Sequence, residues 1–176
     1  MNEISKIIVE KANSFIGMEE IPGNLDFKDD DFRELMISVG WEKTQAWCSY
    51  FVELVWKLAY VERDPTFANK LDLVFNAGAM ATWNNFRKSK EFVNDNQPSL
   101  GCIVIWQHYK DGKPTWMGHA GIVVDFELTH FMAVEGNTSK AGSREGLIVG
   151  LNKRKYSFLP KKNGLVLKGF IHPRII

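Results

Sequence analysis

The first half of the chain carries apolar residues at the spacing of an α-helix. They recur every three or four positions, so that they share one helical face. Gly17 and Gly40 follow two of these stretches as stop signals, and Asp64-Pro65 ends a third. The pattern predicts four helices, over residues 4–16, over 32–39, from 48 to before 64, and over 77–89.

The second half changes to the pattern of β-strands. Short runs rich in Val, Ile and aromatic residues alternate with polar positions or stay apolar, and turns containing Gly or Pro separate them. Helices followed by an antiparallel meander indicate an α+β fold. The predicted strands lie at residues 102–106, 119–126, 131–135, 147–151 and 166–171.

Length and charge narrow the class of protein. A chain of 176 residues fits a single domain over 1–176, and a net charge of +1 gives no strong field for binding nucleic acid. No apolar run approaches the roughly 20 residues of a membrane span. Residues 1–10 carry charges inside their apolar pattern, which indicates an amphipathic helix and not a signal peptide. We expect a monomer that is made as a soluble cytoplasmic chain and binds neither nucleic acid nor a membrane. If the protein acts outside the cytoplasm, something else must deliver it there.

Surface and metal-binding features add little chemistry. The chain has two cysteines and neither a CxxC nor an HExxH motif. Asp29, Asp30 and Asp31 precede a predicted helix, where they serve as N-cap and first-turn charges, and they lack the alternating spacing of a calcium loop. We expect no metal and no cofactor. A group of basic residues near the C-terminus is expected on a solvated face or loop: Lys153, Arg154, Lys155, Lys161 and Lys162.

The strongest candidate chemistry starts at Cys48. It lies where a polar segment becomes an amphipathic helix, and the positive end of a helix dipole favours a thiolate. His119 opens a predicted strand, and Glu135 and Asn137 follow 16 and 18 residues later, two positions apart and so on one face of the next strand. These are the residue types of a thiol nucleophile, its base and a group that orients the base.

Each of these residues also has a purely structural interpretation. A lone cysteine at core spacing is commonly a small buried hydrophobe, as we expect for Cys102 in its apolar strand. His119 beside a glycine is compatible with a structural role, and residues 135–137 are compatible with a β-turn. Only their joint order and spacing favour catalysis.

Two further groups of residues flank these positions. Backbone N–H groups at the helix start, near Cys48 and Ser49, are candidates for an oxyanion hole, with the Gln45 side chain as an additional donor. Trp47 and Trp116 are candidates for the wall of a substrate groove, because they stand next to the candidate residues in sequence.

The arrangement of four segments resembles the CHAP family. They are Trp-Cys-Ser-Tyr-Phe-Val at 47–52, Gly-Cys-Ile-Val-Ile-Trp at 101–106, Gly-His-Ala-Gly-Ile-Val at 118–123 and Glu-Gly-Asn at 135–137. CHAP domains are cysteine, histidine-dependent amidohydrolases/peptidases, related to the NlpC/P60 group in the papain-like superfamily. The resemblance covers most of the chain, from about Ile4 to the end, and implies N-terminal helices packed on a C-terminal antiparallel sheet.

The resemblance implies a role for each matching residue. Cys48 matches the nucleophile, His119 the general base that later protonates the leaving amine, Glu135 the acidic partner and Asn137 the additional polar residue. The sequence leaves open whether Glu135 or Asn137 contacts the imidazole. Trp47 departs from the family, since many members carry Gln directly before the nucleophile.

The implied function is hydrolysis of an amide bond in bacterial peptidoglycan. The bond would be that of an N-acetylmuramoyl-L-alanine amidase or of an endopeptidase of the peptide stem or cross-bridge. A phage lysin and an antibacterial effector both fit, and an effector would be paired with an immunity protein. The alternatives are an inactive module that binds cell-wall peptides and a cysteine peptidase that acts on proteins.

Overall fold

Five α-helices and eight strands make up the described parts of the chain. The computed structural model describes residues 2–139 and 146–175. The helices are α1 Glu3–Ser14, α2 Asp30–Ser38, α3 Cys48–Val61, α4 Pro65–Lys70 and α5 Ala79–Ser89, with a 3-10 turn at Leu71–Leu73. The strands are β1 Glu20–Ile21, β2 Asp26–Phe27, β3 Asn94–Asp95, β4 Ile103–Lys110, β5 Lys113–Phe126, β6 His130–Thr138, β7 Ile148–Lys155 and β8 Gly164–Ile171. The predicted α+β class is confirmed.

Side-chain caps set the starts of three helices. Asn2 accepts a hydrogen bond from the Ser5 N–H, and Asp29 accepts one from Phe32 at 2.8 Å. The Asp64 side chain accepts a hydrogen bond from the Phe67 N–H and so caps α4. Pro65 lies in the first turn of this helix, where its missing N–H would have had no helical partner. The expected role of Asp29 as an N-cap is confirmed. The helix α4 itself was not predicted, because its six residues are too few to show a periodicity.

The main sheet has six strands in the order β3-β8-β4-β5-β6-β7, with antiparallel pairing throughout. Strands β4 to β7 form the predicted meander. The last strand departs from it, because β8 returns across the sheet and pairs with β4 instead of β7. Apolar residues mark a strand but do not specify its partner, so the sequence did not show this return.

Helices α1, α3 and α5 pack on one face of the sheet. Trp56 of α3 lies at the centre of this core, with its ring edge-to-face against Phe75 and Phe86 and its indole N–H donating to the Gly101 carbonyl at 3.1 Å. A second, smaller cluster covers the opposite face and includes Cys102, which is fully buried as expected. The large core holds α3 rigidly against the strands, and the start of that helix is therefore fixed in position.

The segment between α1 and α2 joins the far edge of the sheet. The sequence indicated only a turn at residues 19–24, but Glu20–Ile21 pairs with Asp26–Phe27 as a two-stranded hairpin. The Glu20 N–H donates to the Leu147 carbonyl at 2.8 Å, and the Val149 N–H donates to Met18 at 2.8 Å. These bonds extend the pairing beyond β7.

Side-chain hydrogen bonds tie the C-terminal segment to the opposite edge. His172 contacts Ser99 through Nδ1 at 2.7 Å and the Asp95 carboxylate through Nε2 at 2.8 Å. The Tyr60 hydroxyl donates to the Arg174 carbonyl at 2.8 Å. These contacts join the residues after β8 to β3 and to α3.

Candidate active site

Cys48 is the first residue of α3. Among the described residues, no side chain caps this helix, and its first intrahelical hydrogen bond runs from the Phe51 N–H to the Trp47 carbonyl at 2.9 Å. The N–H groups of the first turn are thus not used by the helix itself. Cys48 is buried, with 6% of the residue exposed.

His119, Glu135 and Trp106 line up on adjacent strands. Trp106 of β4 lies opposite His119 of β5 in the antiparallel register, and their ring centroids are 5.6 Å apart. Glu135 lies on the next strand, β6, and the His119 Nε2 is 2.9 Å from its Oε2. His119 and Glu135 are both fully buried. The structure therefore resolves the alternative that the sequence left open, because Glu135 holds the imidazole.

This hydrogen bond determines which ring nitrogen faces the thiol. An ionised carboxylate only accepts hydrogen bonds, so the proton between the two groups belongs to His119 Nε2. The other nitrogen, Nδ1, is buried and has no nitrogen or oxygen partner among the described residues. It is the atom with which His119 can exchange a proton with Cys48.

The site favours a charged thiolate–imidazolium pair. Burial opposes ionisation of Cys48, but the hydrogen bond and charge of His119, together with the N–H groups of Ala120 and Ser49, lower the pKa of the thiol. Burial also opposes protonation of His119, but contacts with Cys48 and Glu135 raise its pKa to about 9. Each partner stabilises the charge of the other.

Glu135 has a second strong partner, Arg154 of β7. The Arg154 Nε donates to Oε1 of Glu135 at 2.7 Å, and its Nη2 donates to Oε2. Burial raises the pKa of Glu135, but the bonds to Arg154 and His119 outweigh it and lower the pKa overall. Gly121 leaves the room for this side chain, since a Cβ there would lie 2.7 Å from Glu135 Cγ.

Asn137 does not contact the imidazole. Oriented so that both ends of its amide are satisfied, its oxygen accepts from the Trp47 backbone N–H at 3.2 Å and its nitrogen donates to the Gly146 carbonyl at 2.7 Å. Its φ of +52° breaks the strand alternation and turns the amide toward α3. Asn137 therefore binds the residue before Cys48 and connects β6 to the start of the helix.

The prediction that Trp47 lines the substrate groove is wrong. Its side chain is fully buried, packs edge-to-face on Phe27 at 5.2 Å, and donates its indole N–H to the Glu20 carboxylate. The amphipathic character of α3 continues into this position, so a large ring there faces the core. Trp116 differs, because it is 83% exposed on β5, three residues before His119.

The predicted oxyanion-hole residues use their side chains elsewhere. The Ser49 hydroxyl donates to the Asn76 carbonyl at 2.6 Å, so only its backbone N–H is directed at the site. The Gln45 Oε1 accepts a hydrogen bond from the Tyr50 hydroxyl at 2.6 Å. Both residues lie within three positions of Cys48, and their role in binding an oxyanion stays a prediction.

Arg154 was missed by sequence reasoning. It was expected with its neighbours on a solvated surface, and this is wrong, because its side chain is 17% exposed and lies 5.0 Å over the Trp106 ring. The sequence did contain a signal: Asn152 and Arg154 alternate with exposed residues, as inward-facing residues of a strand do. It was overlooked because the predicted strand ended at residue 151, before these two positions.

The described residues contain neither a metal-ligand cluster nor a membrane-spanning helix. Within 2–139 and 146–175, no group of three or more His, Cys, Asp or Glu side chains is placed to hold a metal ion. No helix in these ranges is long and apolar enough to cross a membrane.

Comparison with known proteins identifies the family. The CHAP domain model matches residues 40–137, more than half of the chain, and this range contains Cys48, His119, Glu135 and Asn137. Neither a curated protein nor a solved structure matches the chain. The chain belongs to the CHAP domain family, whose members are typically hydrolases that act as amidases or peptidases.

Proposed function

We propose that the protein is a peptidoglycan hydrolase that cleaves an amide bond through a thioester on Cys48. The observation that carries this proposal is the contact of a helix-start thiol with a buried imidazole that Glu135 holds from its other side. The bond is that of an N-acetylmuramoyl-L-alanine amidase or of an endopeptidase of the stem or cross-bridge. CHAP membership supports the substrate class.

In the first half of the reaction, the Cys48 thiolate attacks the amide carbonyl carbon and a C–S bond forms. The oxygen takes up the negative charge, which the backbone N–H groups at the start of α3 are suited to stabilise. The Gln45 amide nitrogen is the proposed additional donor, since the Gln45 oxygen is bonded to the Tyr50 hydroxyl. As the tetrahedral intermediate collapses, the C–N bond breaks and His119 gives its Nδ1 proton to the leaving amine. A thioester and a free amine result.

In the second half, water attacks the thioester while neutral His119 accepts its proton at Nδ1. The C–S bond breaks, a carboxylic acid leaves, and the thiolate–imidazolium pair is restored. Glu135 keeps the imidazole oriented through both halves, and Asn137 keeps the residue before Cys48 in place. Trp116, exposed three residues before His119 on β5, is suited to contact the substrate.

The biological setting follows from this substrate. Peptidoglycan lies outside the cytoplasm, so a chain made there needs release or delivery to reach it. A phage lysin or an antibacterial effector meets this condition, and an effector would be held inactive in its producer by an immunity protein. We propose that the enzyme works as a monomer without a cofactor.

The test is digestion of purified peptidoglycan by wild type and by Cys48→Ala. Wild type is expected to release soluble fragments with new amine and carboxyl ends, identified by mass spectrometry, and the variant to lose at least about 10³-fold in rate because the nucleophile is gone. Cys102→Ala is the matched control, since it removes the other buried thiol, which accepts a hydrogen bond from the Ser99 N–H at 3.4 Å and not from a residue of the site.

Two results would contradict the proposal. Equal release by wild type and Cys48→Ala would show that no thiol chemistry occurs. Intact peptidoglycan together with cleavage of a protein substrate would favour a cysteine peptidase, and binding of cell-wall peptides without cleavage would favour an inactive module.

A further inference from the structure

Arg154 is the only cation that an ion pair or hydrogen bond connects to Glu135 within the described residues, apart from protonated His119. The two reach the carboxylate from opposite sides, since His119 lies on β5 and Arg154 on β7, with Glu135 on β6 between them. Cys48 of α3 faces the far side of the imidazole. The four residues form one connected chain of charges, from guanidinium to thiolate.

The guanidinium contacts the carboxylate at two points. Nε donates to Oε1 at 2.7 Å and Nη2 donates to Oε2, while Oε2 also accepts from His119 Nε2. A planar fork on a planar carboxylate fixes both its position and its rotation. Rotation of the Glu135 carboxylate would move Oε2 away from His119, so the contact with Arg154 determines the geometry of the His119 bond.

Trp106 fixes the other side of Arg154. The guanidinium carbon lies 5.0 Å from the Trp106 ring centroid, within the range of a cation–π contact. The same indole lies 5.6 Å from the His119 ring. Arg154 is therefore held between the carboxylate and an aromatic ring that also borders the imidazole, which is a defined position and not that of a mobile surface cation.

The buried Glu135 carboxylate needs an adjacent positive charge to stay ionised. A carboxyl group that is fully buried tends to take up a proton, because burial disfavours its charged form. A protonated Glu135 would no longer stabilise an imidazolium at His119, and a thiolate at Cys48 would lose its counterion in turn. An adjacent guanidinium, which stays charged at all physiological pH values, prevents this loss.

We propose that Arg154 is a positioning residue of this site: its guanidinium keeps the Glu135 carboxylate ionised and in plane, so that Glu135 can hold His119 as an imidazolium next to the Cys48 thiolate. This inference rests on the proposed function for its catalytic meaning. Arg154 itself touches neither the thiol nor the substrate carbonyl in the proposed reaction, and it acts through Glu135.

The experiment measures the rate of Cys48 alkylation by iodoacetamide against pH, in wild type and in Arg154→Met. Without the guanidinium, Glu135 takes up a proton at a higher pH, the imidazolium is lost over that range, and the thiolate forms only at higher pH. We expect alkylation to be about tenfold slower in the variant at pH 5 to 6, because loss of an adjacent opposite charge shifts a pKa by one unit or more. The two rates are expected to converge in alkaline solution.

Neighbouring lysines supply the matched controls. Lys153→Met and Lys155→Met remove one positive charge each from the same strand, at exposed positions whose side chains point to the other face. Their alkylation profiles are expected to match wild type. A general effect of net charge would instead shift all three profiles alike, and this would overturn the specific role of Arg154.

A second variant covers a failure to fold. Arg154→Lys keeps the charge but loses the two-point contact, and its profile is expected to lie between those of wild type and Arg154→Met. Near-ultraviolet circular dichroism identifies the folded variants. If Arg154→Met is unfolded, Arg154→Lys decides the question. If Arg154→Met is folded and its alkylation profile coincides with that of wild type, the proposal is overturned. If Arg154→Met is unfolded, a wild-type profile in Arg154→Lys overturns it.

The readout separates this inference from the proposed function. Alkylation requires no peptidoglycan, so a wild-type protein that leaves peptidoglycan intact but shows the expected shift in Arg154→Met contradicts the function alone. A wild-type protein that digests peptidoglycan while the variant profile is unshifted contradicts the role of Arg154 alone.

Discussion

At the scale of residues, neighbours and not burial decide the chemistry of the two thiols. Cys48 and Cys102 are both buried. Burial raises the pKa of Cys102 to about 12, whereas the same effect at Cys48 is outweighed by His119 and two backbone N–H groups, which lower its pKa. A thiol becomes a nucleophile where a base and helix-start amides meet it.

The raised pKa of His119 predicts the alkaline limit of activity. The charged form of His119 persists up to a pKa of about 9, because Cys48 and Glu135 stabilise it against the effect of burial. We expect kcat/KM for a soluble muropeptide to fall as pH rises through about 9, since the proton needed by the leaving amine is then lost. In Glu135→Gln the limit is expected to move toward the ordinary value near 6.5.

Glu127→Gln is the control for this pH profile. Glu127 is exposed and pairs with His130 at 3.5 Å, outside the site. Its variant is expected to keep the limit of wild type. A limit that stays near 9 in Glu135→Gln would show that the carboxylate does not support the imidazolium.

At the scale of elements, the candidate site depends on the close approach of β6 to α3. Gly136 lies between Glu135 and Asn137 and faces the helix, where a Cβ would come within 2.6 Å of the Trp47 ring and 2.7 Å of Phe51. The absence of a side chain lets the strand and the helix meet. This contact fixes the distance between the thiol on one element and the orienting carboxylate on the other.

We therefore expect Gly136→Ala to damage both stability and activity. The added methyl group overpacks the contact and should lower the free energy of unfolding by about 1–3 kcal/mol. The displaced helix start should lower kcat at temperatures where the variant is still folded. Urea unfolding and peptidoglycan digestion measure the two effects.

Gly78→Ala provides the comparison for this variant. A Cβ at Gly78 meets its nearest neighbours at 3.8 Å and 3.9 Å, which are ordinary contacts. We expect a small change in stability there. Equal unfolding midpoints for Gly136→Ala and wild type would show that β6 and α3 are not in tight contact.

At the scale of the whole molecule, the hairpin of β1 and β2 contacts Trp47, the residue before Cys48. Glu20 is 3% exposed and accepts hydrogen bonds from the Trp47 indole and from the Asn24 N–H. Burial raises the pKa of Glu20, and the Trp47 hydrogen bond opposes this. The same hairpin segment pairs with the edge of the sheet beyond β7, so residues far apart in the chain hold the residue next to Cys48.

Paired tryptophan variants test this structural role. Trp47→Phe keeps an aromatic ring but removes the indole donor, which leaves the buried Glu20 Oε2 without its hydrogen bond and should lower stability by about 1–3 kcal/mol. Trp116→Phe makes the same change at an exposed position and should stay within about 0.5 kcal/mol of wild type. Thermal unfolding measures both, and equal stability of the two variants would argue against the Glu20 contact.

Much of the fold could be predicted because its elements are marked locally. Helical spacing, caps such as Asp29 and β-branched runs depend on residues a few positions apart, and they located four of the helices and five of the strands of the main sheet. The ends agree to within about four residues, except that β5 begins at Lys113, well before the predicted start at residue 119. The return of β8 to β4 and the two short strands of the hairpin were missed. Their pairing involves residues distant in sequence and leaves no periodic signal.

The sequence by itself determined the α+β class, the helix that starts at Cys48, and the placement of His119 and Glu135 on consecutive strands. The helix and the strands follow from periodicities of 3.6 and 2 residues, which any local stretch of chain reveals. The tertiary structure alone decided that Glu135 and not Asn137 holds His119, that Trp47 is buried, and that Arg154 reaches the carboxylate. Those outcomes depend on which distant elements pack together, and the burial and charge of each side chain follow from that packing.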